Sequence, residues 1–197
     1  RVRSSIRILS ISLLLTPLSG LAAPPADLDR YVEKAMSTFG VPGLSLGVLE
    51  QQATVARGYG VRRLGEPARV DEHTLFAIGS NTKAFTAAAL AVLVDGGQLQ
   101  WDDRVADRLP GFRMFDAYAS REMTVRDLLV HRSGLGLGAG DLLFFPATNL
   151  SRAEVVERLR YIPPATSFRS GYAYDNVLYV VAGQLIARWS RCGGSSS

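Results

Sequence analysis

Phe76-Ala77-Ile78-Gly79-Ser80-Asn81-Thr82-Lys83 runs directly into the Ala-rich stretch Ala84-Phe85-Thr86-Ala87-Ala88-Ala89-Leu90-Ala91-Val92-Leu93-Val94. That stretch reads as one helix, ended by Gly96-Gly97. Ser80 and Lys83, three apart at its mouth, share one face a turn apart. An amine therefore stands beside a hydroxyl. The helix start adds orphan N–H groups and the positive end of the dipole, a field that favours an alkoxide and disfavours an ammonium. Such a pair reads as a nucleophile with its base.

The identity of the cation sharpens this reading. Among 22 basic side chains only Lys34 and Lys83 are lysines. A chain so biased toward Arg fills a generic cationic position with Arg, which cannot give up its proton, whereas a desolvated Lys can. A Lys here points to proton transfer. The plain alternative is a Ser near a helix start with a solvated Lys in the first turn. The spacing alone is a weak signal; the helix and the later motifs raise it.

Arg1, Arg3 and Arg7 precede an apolar run from Ile8 to Leu18, and Gly20-Leu21-Ala22 offers small residues before a cleavage point. Residues 1–22 are expected to be a secretory signal, with an apolar run too short to span a bilayer. The protein is expected in the periplasm or secreted from a bacterium, with no stable membrane span once the signal is removed. Losing the three Arg of that leader takes the formal charge from +4 to +1. The basic pI thus belongs largely to the leader, and no nucleic-acid partner is expected. The chain beyond the leader is long enough for one domain with a core. Cys192 is the single cysteine and the two His are far apart, so no internal disulfide and no metal site are expected, and no cofactor.

Asp27 to Phe39 reads as an amphipathic helix with Leu28, Tyr31, Val32, Met36 and Phe39 on one face and Gly40 as its stop. Leu44 to Leu49 and Ala53 to Tyr59 read as strands of an antiparallel hairpin turning at Glu50-Gln51-Gln52. Val61 to Thr74 is polar and irregular, and Leu99 to Asp103 a short extended piece leading to Val105–Leu109. Two capping boxes open helices, Thr124-Val125-Arg126-Asp127 and Ser151-Arg152-Ala153-Glu154. Gly134 to Gly140 is a glycine-rich loop that follows no strand and lacks a phosphate fingerprint. Asn176 to Trp189 is a strongly apolar helix beyond the Pro163-Pro164 break. Two strands make too small a sheet to stand with helices on one face, so the sheet reads as incomplete.

Tyr174-Asp175-Asn176 stands just before that last helix. A Tyr two before an Asn, on a turn, can aim a phenol and an amide into one cavity. The phenol relays a proton if a nearby cation lowers its pKa. The amide orients a Lys or accepts a substrate N–H. Taken in isolation, this is an ordinary aromatic turn with Asn as a cap.

With these segments in hand, the chain resembles the serine β-lactamase-related family of class C β-lactamases, penicillin-binding DD-peptidases and related esterases. Phe76 to Lys83, Leu128-Leu129-Val130-His131-Arg132-Ser133-Gly134-Leu135 and Phe168 to Ile186 stand in family order, from about Asp27 to Trp189. The resemblance implies an α+β (α/β) β-lactamase/transpeptidase-like fold: an antiparallel sheet flanked by helices plus an all-helical subdomain, the sheet incomplete in this chain. It implies Ser80 as the acylated nucleophile, Lys83 as its base partner and Tyr174 as general base and acid. Asn176 would position Lys83 and the substrate amide, and the Ser80 N–H would be half of an oxyanion hole. His131 and His73 are expected to be scaffold.

The family carries a further Lys- or His-x-Gly motif downstream, yet no Lys follows Lys83 and no His follows His131. Residues 23–190 are therefore expected to be the N-terminal part of such a domain, and 191–197 an aberrant low-complexity tail from truncation or frameshift. The expected function is an exported serine hydrolase acting on a small-molecule or peptidoglycan-type substrate, a lactam, ester or D-amino peptide, poorly active as given. The alternative is a non-catalytic module that keeps this scaffold to bind peptidoglycan or a partner.

Overall fold

The computed structural model describes residues 26–50 and 53–192. The proposed leader, Gln51-Gln52 and residues 193–197 lie outside them. The chain divides into two compact units, with the boundary between Ala77 and Ile78.

The first unit begins with α1 (Leu28–Phe39), closed by Gly40 at φ 64°. A left-handed residue after the last turn is the usual place for Gly, because it has no Cβ to clash. β1 (Gly43–Glu50) and β2 (Ala53–Gly60) pair antiparallel from Gly43↔Gly60 to Glu50↔Ala53. Met36 of α1 meets β2 at Gly60, where an added Cβ would come within 2.8 Å of its Cε. Asp29 accepts from Arg57 at 2.5 Å and from the Tyr59 hydroxyl at 2.6 Å. The apolar face expected of α1 is only partly covered: Val32 is buried, but Tyr31 is 71% and Phe39 79% exposed. Two strands present too narrow a floor to cover a helix of three turns.

The second unit is helical and holds a continuous core. α2 (Thr82–Asp95) is followed by α3 (Val105–Arg108), α4 (Ala117–Glu122), α5 (Arg152–Arg158) and α6 (Val177–Cys192). Leu90 of α2 and Val177, Leu178, Val181 and Leu185 of α6 are fully buried with Leu99, Met123, Leu128 and Leu159. The i, i+1, i+4, i+8 spacing on α6 is the helical face that the sequence shows. α2 is apolar all round but buries one side, leaving Phe85 68% and Val92 69% exposed.

Two expectations are corrected here. Leu99–Asp103 is not extended: Gln100 N–H donates to Asp103 Oδ2 at 2.8 Å, and the chain turns. Thr124 forms its reciprocal bonds with Asp127, at 2.7–3.3 Å, but opens only a 3-10 turn, Arg126–Leu129. That turn cannot propagate, because His131 two residues later is left-handed at φ 58°. Ser151 and Glu154 do form a full capping box on α5. α6 runs on to Cys192, past the point where the sequence pattern fades. Among the described residues no helix is long and apolar enough to cross a membrane.

Candidate active site

Gly79, left-handed at φ 52°, starts a 3-10 turn over Gly79–Asn81 that feeds α2. Ser80 thus sits two residues before the helix and Lys83 in its first turn. Lys83 Nζ donates to Ser80 Oγ at 3.2 Å, as the spacing required. The same ammonium donates to Asn176 Oδ1 at 2.6 Å, across 93 residues of sequence. The Tyr174 hydroxyl bonds Ser80 Oγ at 2.6 Å. Either oxygen of that pair can carry the shared proton. The structure therefore brings Ser80, Lys83, Tyr174 and Asn176 into one cluster within the second unit.

The electrostatics favour proton transfer. Lys83 Nζ stands 4.7 Å from the Tyr174 ring centre and 5.2 Å from that of Tyr179. The Lys83 ammonium, then the Ser80 hydroxyl, hold the Tyr174 phenol below the usual tyrosine range, more than offsetting the opposing pull of desolvation. A phenol that ionises more easily is a better base near neutral pH.

The turn carrying Tyr174 is fixed from behind. The ring centre of His131 lies 4.5 Å from that of Tyr174, and its Nδ1 accepts the Asp175 N–H at 3.2 Å. His131 therefore walls Tyr174 and makes no bond to Ser80. Burial pushes the Asp175 carboxyl up, and Ser133 Oγ donates to it at 3.1 Å. Ala173 N–H donates to His131 C=O at 3.0 Å, and Gly138 N–H to Tyr174 C=O at 2.9 Å. His73 lies in the first unit, exposed, 3.9 Å from Glu72.

Ser80, Lys83 and Asn176 open onto a cleft of about 600 Å³, lined also by Asp141, Phe144 and Arg152. Asn176 Nδ2 donates to Asp141 Oδ2 at 2.9 Å. Sequence reading missed Asp141. It stands after a glycine-rich run with no motif around it, and only folding brings it to Asn176. Tyr179, whose ring lies beneath Lys83, looks in the sequence like one more position of an apolar helix. Chemically, the cluster pairs an oxygen nucleophile with a phenol able to take and return its proton and with a cation that eases ionisation of that phenol.

The protein-family description Beta-lactamase matches residues 28–196. An unguisins hydrolase of Aspergillus violaceofuscus is 32% identical over 179 residues, covering 87% of this chain and 30% of its own length. The penicillin-binding protein homologue from Pyrococcus abyssi superposes with TM-score 0.67 at 26% identity, over 84% of this chain and 39% of that one. D-amino acid amidase from Ochrobactrum anthropi, complexed with L-phenylalanine, gives 0.67 at 27% identity, over 83% of this chain and 45% of that one. The chain thus spans about a third of the length of the curated relatives it matches over most of its residues. Its fold is the α+β β-lactamase/transpeptidase-like one, and the chain belongs to the Beta-lactamase family.

Proposed function

We propose that this chain carries the nucleophile half of an exported serine hydrolase that cleaves a lactam, ester or D-amino peptide through an acyl-enzyme on Ser80. The observation behind this reading is the cluster of Ser80 Oγ with Lys83 Nζ at 3.2 Å and Tyr174 Oη at 2.6 Å. In the first step Ser80 Oγ attacks the carbonyl carbon as its proton passes to the Tyr174 oxygen. The tetrahedral oxyanion is held in part by the Ser80 N–H. Collapse breaks the bond to the leaving nitrogen or oxygen, which takes the proton back from Tyr174. Water then attacks the ester on Ser80, gives its proton to the same relay, and leaves the free acid and Ser80. Lys83, bonded to Asn176, keeps the phenol ionisable throughout, and Asn176 also meets the substrate amide. The relative named for D-amino acid amides supports the amide end of this range.

Turnover by these 197 residues alone is expected to be slow. The Lys- or His-x-Gly motif, whose strand the resemblance implies as the source of the second oxyanion N–H, is not among them, and one missing oxyanion donor costs about 10²–10³ in rate.

Incubation with a fluorophosphonate probe, followed by peptide mass mapping, tests the assignment. The expected adduct sits on Ser80 and is lost in Ser80→Ala. A folded chain left unmodified, or modified elsewhere, would sink it and favour a binding module.

A further inference from the structure

Asn176 has an amide whose two ends differ, and the site needs a particular end toward Lys83. Oδ1 takes the Lys83 ammonium at 2.6 Å, while Nδ2 donates to Asp141 Oδ2 at 2.9 Å. An ammonium only donates, and a carboxylate only accepts. A flipped amide would set N–H against ammonium and C=O against carboxylate, so two contacts would turn repulsive together. Lys83 cannot enforce the orientation alone, because its flexible stem can swing away from a wrongly turned amide. Asp141 is short and held by its backbone. Its N–H donates to Gly138 C=O at 3.1 Å, and its C=O accepts from Phe144 and Phe145 at 3.1 and 2.8 Å.

The loop before it is built to deliver it. Gly138 and Gly140 are left-handed, at φ 66° and 85°. Gly140 lies against the start of α6, where an added Cβ would come 3.0 Å from Ile162 Cδ1 and 3.3 Å from Val177 Cβ. Only a residue without a side chain lets the loop press close enough for Asp141 to reach Asn176. The buried second oxygen, Oδ1, has no hydrogen-bond partner among the described residues. The carboxylate is thus committed to Asn176 and to little else. Leaving that oxygen buried and unbonded is unfavourable for stability.

We propose that Asp141 is the positioning residue of this site: it fixes the Asn176 amide so that Oδ1 faces Lys83, which in turn faces Ser80. The assignment rests on the serine-hydrolase reading, and it has a readout independent of that reading. The chain has two lysines, so protein labelled with ¹³Cε-lysine gives one signal for Lys83 and one for Lys34, assigned with Lys34→Arg.

The test compares the full chain with Asp141→Ala, Asp141→Asn, Asn176→Ala and the double variant Asp141→Ala/Asn176→Ala. In Asp141→Ala the Lys83 signal is expected to move toward its position in Asn176→Ala, while an unchanged far-UV circular dichroism spectrum and thermal midpoint report that the helical unit is still folded; the exposed Lys34 serves as the reference signal. Fluorophosphonate labelling of Ser80 should slow about tenfold to a hundredfold in Asp141→Ala, the cost of a misplaced group. Asp141→Asn should lose less, since its own carbonyl can still accept from Asn176. The double variant should be no slower than Asn176→Ala. A Lys83 signal in Asp141→Ala that superposes on wild type while Asn176→Ala moves it would overturn the assignment, as would additive losses in the double variant. If wild-type Ser80 takes no label, the hydrolase reading falls, and the Lys83 signal still decides the Asp141 link.

Discussion

Lys83 donates to Ser80 and to Asn176 and stands beside the Tyr174 ring, so three functional groups depend on one cation. Its effect on Tyr174 has a definite sign. The phenol serves as base when ionised, and the Lys83 ammonium is the largest cause of its lowered pKa. Removing the ammonium raises that pKa and shrinks the ionised fraction at neutral pH. Lys83→Met should therefore slow Ser80 labelling at pH 7 by about 10²–10⁴, the usual worth of a positioned proton-transfer group. The loss should shrink as pH rises toward the ordinary phenol range near 10. A stopped-flow labelling profile parallel to wild type at every pH would refute the Lys83–Tyr174 link. At this scale the Ser80–Lys83 pair was legible, since a spacing of three at a helix start sets the two side chains on one face and the later motifs select that reading. Asp141 was not, because a carboxylate in a glycine loop carries no local sign of what it will face.

Among the elements, α5 shows what a cap contributes. Its seven residues are too few to be stable alone. Two features hold it: Val155 and Val156 are buried, and Ser151 exchanges bonds with Glu154 at its start. Ser151→Ala should cost about 1 kcal/mol of unfolding free energy. Urea titration would show this as a lower midpoint at unchanged slope, and no shift would mean that packing alone holds α5. The Thr124–Asp127 box has the same sequence signature and yields one 3-10 turn. There the Asp127 carboxylate also takes two bonds from Arg169, and left-handed His131 stops the turn. The signature reports a backbone start; tertiary partners decide how far the helix runs.

Across the whole molecule, the Asp127–Arg169 pair ties the turn before His131 to the loop before Tyr174. Arg169 also donates to Glu122 C=O at 3.1 Å, and its own C=O accepts from Arg132. Burial pushes the Asp127 carboxyl up, but Arg169 and Thr124 more than offset it and hold it below the usual carboxylate range. A lowered folded pKa contributes stability that is present above the unfolded value, near 4, and is lost as pH falls through the folded one. Asp127→Asn should then destabilise the chain at pH 7 by about 1–3 kcal/mol. The gap from wild type should narrow below about pH 4. Thermal unfolding at pH 7 and pH 3 measures this, and a gap that ignores pH would mean that shape, not charge, makes the tie.

By itself the sequence determined the local and periodic features. These are α1 with its Gly40 stop, the hairpin, the α2 start with Ser80 above Lys83, the α5 cap and the apolar face of α6. Each arises from residue spacing and backbone preference within a few turns, so nearby residues suffice to read it. Resemblance added Tyr174 and Asn176 as partners of that pair. Tertiary structure alone decided the contacts between distant residues: Lys83 with Asn176, Asn176 with Asp141, His131 against Tyr174 and Arg169 on Asp127. Such contacts depend on where the buried core of α2 and α6 lets loops approach. No local pattern encodes that distance, because it is set by the packing of the whole helical unit.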